Sequence, residues 1–90
     1  MPYLENNLQK QVLTRLKKVK HLWVHKVSDR WISGIPDLLL CYHGRFIAIE
    51  LKVPGKKATR LQNHVLKEIH KAGGRVYECH SVEEVMACLK

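Results

Sequence analysis

The stretch Gly34-Ile35-Pro36-Asp37-Leu38-Leu39-Leu40-Cys41-Tyr42-His43-Gly44-Arg45-Phe46-Ile47-Ala48-Ile49-Glu50-Leu51-Lys52 decides how the chain is read. Two apolar runs flank His43-Gly44, a tight-turn signal, so the stretch predicts a β-hairpin. Apart from Asp37, Pro36 to Tyr42 is a short continuous apolar run, as a central strand covered on both faces would be. Arg45 to Val53 is the returning strand. Side chains alternate along it, with Phe46, Ala48, Glu50 and Lys52 on one face and Ile47, Ile49 and Leu51 on the other. The hairpin brings Asp37 alongside Glu50. Two carboxylates and one ammonium then share a small patch at the end of otherwise apolar strands. Like charges packed together repel, and a divalent cation is the usual remedy.

Outward from the hairpin, the pattern predicts one more element at a time. Leu4, Leu8, Val12, Leu16 and Val19 recur at helical spacing over residues 3–20, with Lys10, Arg15, Lys17, Lys18 and Lys20 on the other face. His21 to Val27 is aromatic and β-branched and reads as a strand, followed by a polar loop from Ser28 to Gly34. Pro54-Gly55-Lys56-Lys57 breaks the pattern into a basic loop. A helix follows over residues 59–71, with Leu61, Val65, Leu66 and Ile69 inward and Gly73 or Gly74 to end it. Thr59 and Gln62 have capping-box spacing, as do Ser81 and Glu84 ahead of a short last helix. Arg75 to His80 is the last strand. The order is α-β-β-β-α-β-α, an α/β domain with no internal repeat and no linker.

Ninety residues make one domain, 1–90, without room for a second catalytic module. Sixteen Lys and Arg against eight Asp and Glu give a formal charge of +8. A field of that sign favours a polyanion. A binder of nucleic acid gains nothing from carboxylates where the phosphate lies, unless a metal sits between them. Cys41, Cys79 and Cys88 are odd in number and lack CxxC spacing, which argues for buried free thiols in a reducing cytoplasm. No long apolar run or cleavable leader points to a membrane or to secretion, so the expected setting is the cytoplasm. His21 and His25 lie in a strand and His64 and His70 do not share a helix face. The histidines therefore read as solvated or nucleic-acid-facing rather than as metal ligands.

Pro36-Asp37 and Glu50-Leu51-Lys52 resemble the motif of the PD-(D/E)XK nuclease superfamily. Glu5 in an N-terminal helix, Gly34 just ahead of Pro36-Asp37, Gln62 in the helix after Glu50-Leu51-Lys52, and Ala72-Gly73-Gly74-Arg75-Val76 narrow the resemblance to the VRR-NUC family, from about Glu5 to the final helix. It implies a restriction-endonuclease-like core, a small mixed sheet flanked by helices. It also implies a metal-dependent DNA endonuclease using Mg²⁺ or Mn²⁺. Stand-alone members resemble phage-type Holliday junction resolvases, so a four-way junction is the expected substrate and a C2 homodimer the expected assembly. Alternatives are a less selective or restriction-like endonuclease and a non-catalytic nucleic-acid-binding module.

Under that resemblance Asp37 and Glu50 are the metal ligands, joined by the backbone carbonyl of Leu51, while Lys52 orients or helps deprotonate the attacking water. The competing readings are a turn cap for Asp37, a surface ion pair for Glu50 and Lys52, and an exposed strand-end lysine. Glu5 is a further ligand or only a favourable charge in the first turn of its helix. Gln62 faces the site, closes the capping box with Thr59, or does both. Lys56, Lys57 and Arg60 are candidates for phosphate contact or a solubilising charged loop. Trp31 covers the core edge or stacks on an unpaired base.

Overall fold

The computed structural model describes residues 2–28 and 33–90, with side chains from Asn6 onward. The elements run α1 (Pro2–Leu16), β1 (Leu22–Lys26), β2 (Leu38–Tyr42), β3 (Arg45–Leu51), α2 (Arg60–Lys71), β4 (Arg75–Cys79) and α3 (Val82–Ala87). This is the order expected from the sequence.

His43 and Gly44 both take positive φ, 50° and 76°, and Tyr42 pairs with Arg45. A two-residue turn with positive φ at both positions matches the twist of the strands it joins. It fixes the hairpin register, Leu38 opposite Ile49 and Leu40 opposite Ile47. β1 adds antiparallel to β2, and β4 adds parallel to β3. The result is a mixed four-stranded sheet ordered β1-β2-β3-β4. A parallel pair needs a crossover, and α2 supplies it.

The main core lies on one face of the sheet. Val12 and Leu16 of α1, Val85 of α3 and Cys88 at its C-cap meet Leu38, Leu40, Ile47, Ile49, Leu51 and Cys79. α2 lies on the opposite face against β3 and β4. Its start carries the expected capping box: Thr59 Oγ1 accepts from the Gln62 N–H at 3.2 Å and Gln62 Oε1 from the Thr59 N–H at 2.8 Å. Its end is a Schellman turn, with the Gly73 N–H donating to the His70 carbonyl and the Gly74 N–H to that of Ile69.

Several expectations need correction. α1 stops at Leu16 rather than Lys20, and the next four residues form turns in which the Val19 N–H donates to the Leu16 carbonyl. His21 takes a φ of 61° and stays outside β1. β2 is not covered on both faces: α2 packs against β3 and β4, and Cys41 on that side of β2 is exposed while Leu39 is half-buried. Cys41 is exposed, so the buried thiols are Cys79 and Cys88, 3.6 Å apart. Leu61 is 48% exposed rather than turned inward. Glu84 accepts from the His80 N–H rather than from that of Ser81, so α3 has the Ser81 cap without the reciprocal half of the box. Among the described residues no helix is long and apolar enough to cross a membrane.

Candidate active site

Asp37 stands one residue before β2. The register that pairs Leu38 with Ile49 places Asp37 across from Glu50 when continued by one step. Directly opposed residues share a face, so both carboxylates belong to the α2 side of the sheet. The Asp37 carbonyl accepts from the Val27 N–H at 2.9 Å, and its carboxylate Oδ2 accepts from the Leu51 N–H at 2.7 Å. The residue thus ties β1 through its backbone and β3 through its side chain. A bond across fourteen residues of chain is no local turn cap.

One further step of the register puts Pro36 opposite Leu51. Proline has no N–H to give, so the backbone ladder ends there. The N–H and carbonyl of one strand residue point the same way, and the Leu51 N–H points at Asp37. The Leu51 carbonyl therefore lies on the Asp37 side of β3.

Glu50 is 1% exposed, the one buried charged residue among those described. A surface ion pair is therefore not its setting. On its other side it pairs in parallel register with Glu78, so Asp37, Glu50 and Glu78 stand abreast across three strands. Glu78 has its own partners: Oε1 accepts from the Ala58 N–H at 2.7 Å, and Oε2 lies 3.3 Å from His80 Nε2. Among the described residues no group of three or more His, Cys, Asp or Glu could hold a metal ion alone. The donor set that remains consists of two carboxylates and one carbonyl. All are hard oxygens, which suit Mg²⁺ or Mn²⁺ with water completing the shell.

Lys52 follows the last residue of β3 and is half-buried. Its N–H donates to the Cys79 carbonyl at 2.9 Å. The extended alternation therefore continues past the strand end and puts Lys52 on the Glu50 side. Gln62 is half-buried, and the capping box engages its Oε1. Glu5 falls in the first turn of α1, and its side chain lies outside the described residues, as does Trp31 altogether.

Lys56, Lys57 and Arg60 are all exposed. The loop that carries the first two is pinned by a network that the sequence reading missed. The Ala58 N–H reaches Glu78, and His80 Nε2 lies 3.0 Å from the Lys56 carbonyl while its Nδ1 lies 3.4 Å from Glu84 Oε1. Burial disfavours the charged imidazole. The hydrogen bond to Lys56, the bond to Glu84 and the charges of Glu84 and Glu78 outweigh burial and raise the His80 pKa above 6.5. The signal was present in the alternation Val76, Glu78, His80, which sets two polar residues on the site face of β4. A hollow lined by Phe46, Ile69 and Gly74 lies toward the opposite end of β3, and the chemistry of the side chains favours the Asp37–Glu50 end over it.

The family described as VRR-NUC domain matches residues 3–83. A solved structure described as a VRR_NUC domain superposes with a TM-score of 0.79 at 26% identity, over 94% of this chain and 92% of that one. Comparison with proteins of curated function returned no match.

Proposed function

This chain belongs to the VRR-NUC family of nuclease-type domains, and from that premise we propose that it is a metal-dependent endonuclease that resolves four-way DNA junctions. The observation that carries the reading is the corner where the Asp37 carboxylate accepts from the Leu51 N–H beside the buried Glu50. Asp37, Glu50 and the Leu51 carbonyl would hold Mg²⁺ or Mn²⁺. When bound, the cation supplies charge neutralisation at the phosphate and lowers the pKa of water.

The chain's own residues do the rest. The bond from Leu51 fixes the Asp37 carboxylate against β3, so the donors are in place before substrate arrives. Lys52, on the Glu50 side, orients the attacking water and stabilises charge that develops on the phosphoryl oxygens. Gln62 keeps its amide NH₂ for a water or phosphate oxygen while its Oε1 caps α2, and Glu5 adds a carboxylate from α1. Lys56, Lys57 and Arg60 give the phosphate backbone a positive path beside the site. A four-way junction needs two matched cuts, which suits a C2 homodimer with two sites at fixed separation.

The test is cleavage of a labelled four-way junction and of linear duplex with Mg²⁺, Mn²⁺, Ca²⁺ or excess chelator, with sedimentation run alongside. Paired cuts in the junction with Mg²⁺ and Mn²⁺, poor turnover with Ca²⁺ and a dimer are expected. Undiminished cutting in chelator would falsify the metal-dependent reading. A monomer that cuts duplex as fast as junction points instead to a general endonuclease, and no cutting of either points to a binding module.

A further inference from the structure

The helices leave part of the Glu50 face of the sheet open. α2 packs on β3 and β4, and among the described residues the same side of β1 and β2 is largely bare. The register sets Trp23, Cys41 and Phe46 in one row and His25, Leu39 and Ala48 in the next. The row between them, Val24, Leu40 and Ile47, turns the other way and packs in the core. Trp23 therefore stands on the same face as Glu50. It is 57% exposed and Phe46 is 44% exposed. His25 and Cys41 are exposed as well.

Trp23 and His25 are two apart on one strand, and their rings stack at 18° with centroids 6.0 Å apart. An open depression lined by His21, Trp23, Cys41 and His43 adjoins them. No acidic residue stands in either row. Four residues along the strand and two strands across separate Trp23 from Glu50, about 17 Å, which is the span of about five stacked nucleotides.

We infer that Trp23, supported by His25, is a stacking platform for unpaired bases of the DNA whose phosphate lies at Asp37 and Glu50. The inference rests on the nuclease reading above and adds where the bases go. Every base has a π-face, so an indole accepts any of them, but only where the base is out of its pair. A duplex hides its bases and a branch point or frayed end shows them. The platform thus selects for structured DNA by stacking, on top of the unselective attraction of the +8 charge. The two rows offer rings and no acidic side chain, and the +8 of the chain as a whole attracts a polyanion, so nucleic acid is the occupant matched in both chemistry and charge.

The experiment measures binding of labelled oligothymidylate and of a blunt duplex in chelator, across a salt series, so no result depends on cleavage. Trp23→Val keeps a β-branched strand former and removes the ring, and Trp23→Tyr keeps a ring. Trp23→Val is expected to weaken single-strand binding by about fivefold or more, the loss of one stacked base, with duplex binding within about twofold of wild type. Its salt slope stays that of wild type, because no phosphate contact is removed. Trp23→Tyr restores most of the affinity. In a Trp31→Phe background, oligothymidylate quenches the fluorescence of the remaining Trp23.

Single-strand affinity unchanged in Trp23→Val overturns the inference, as does an equal loss on duplex. A shift from dimer to monomer in Trp23→Val also overturns it and assigns the face to a second copy. If the wild type stacks on single strands but cuts nothing with metal, the nuclease reading fails and the platform stands.

Discussion

Replacing Asp37 separates its two roles, because its carboxylate both accepts the Leu51 N–H and contributes charge to the site. Asp37→Ala removes both. A hydrogen bond to a charged acceptor is worth about 1.5–3 kcal/mol, and the corner is only partly buried, so a loss of about 2 kcal/mol is expected. For a chain of this size that lowers Tm by about 8–16 °C. Asp37→Asn keeps an acceptor oxygen and takes one charge away from beside Glu50, so its loss in chelator is expected to be smaller, about 1 kcal/mol or less. Both variants are expected to lose cleavage. Thermal and urea unfolding should be run in chelator and again with Mn²⁺ at about 100 times its Kd, where a bound ion stabilises the wild type by about 2.7 kcal/mol. Neither variant should gain that increment. If Asp37→Asn gains as much as wild type, Asp37 is not a ligand. If Asp37→Ala is as stable as wild type in chelator, the Leu51 bond does not hold the corner and the reasoning fails.

Other substitutions probe the surroundings of that corner. Lys52→Ala should lose about a hundredfold or more in turnover yet bind Mn²⁺ within about twofold of wild type by calorimetry, and loss of metal affinity would refute its role as a non-ligand. Gly34 has a φ of +83°, and a Cβ there would lie 2.8 Å from Leu61 Cγ and 3.2 Å from the Leu61 carbonyl oxygen. Gly34→Ala should cost about 1–3 kcal/mol in urea unfolding, and a neutral result would show that the loop is not fixed against α2. The folded pKa of His80 is raised, so its charge-dependent stabilisation is full below the unfolded value near 6.5 and is lost as pH rises through the folded value. The stability gap between wild type and His80→Gln should accordingly be widest near about pH 5.5 and shrink toward about pH 8.5, and a flat or widening gap would contradict the network.

Local signals carried most of the fold. His43-Gly44 marked the turn, Thr59 and Gln62 marked the start of α2, and strand alternation set Glu50 and Lys52 apart from Leu51. The Asp37–Glu50 juxtaposition followed from the hairpin alone, since a two-residue turn leaves one register open. What the sequence hid depends on how elements sit on one another. That α2 would cover β3 and β4 and leave Cys41 bare is set by the crossover, which periodicity within β2 does not encode. The end of α1 was hidden because Lys17-Lys18-Val19-Lys20 contains no residue that stops a helix, and the chain turns at His21 with positive φ instead. Glu78 and His80 went unnoticed because their partners are backbone groups of a loop about twenty residues away. The capping box at Gln62 was legible because Thr59 and Gln62 stand three residues apart.

The two-residue hairpin also bears on the order in which the molecule comes together. β3 meets β2 across the shortest connection in the sheet but meets β4 only after the chain has passed through α2. Short closures cost less entropy and form in about 1–10 μs, while the parallel pairing must wait for a longer excursion. On that order Asp37 and Glu50 are expected to be neighbours before β4 arrives and before α2 packs on the Glu50 side of the sheet. A cation that bridged them would on that order act on the folding limb of a chevron, speeding refolding more than it slows unfolding. The pairing of Asp37 with Glu50 would then help to nucleate the fold whenever a bridging cation is at hand.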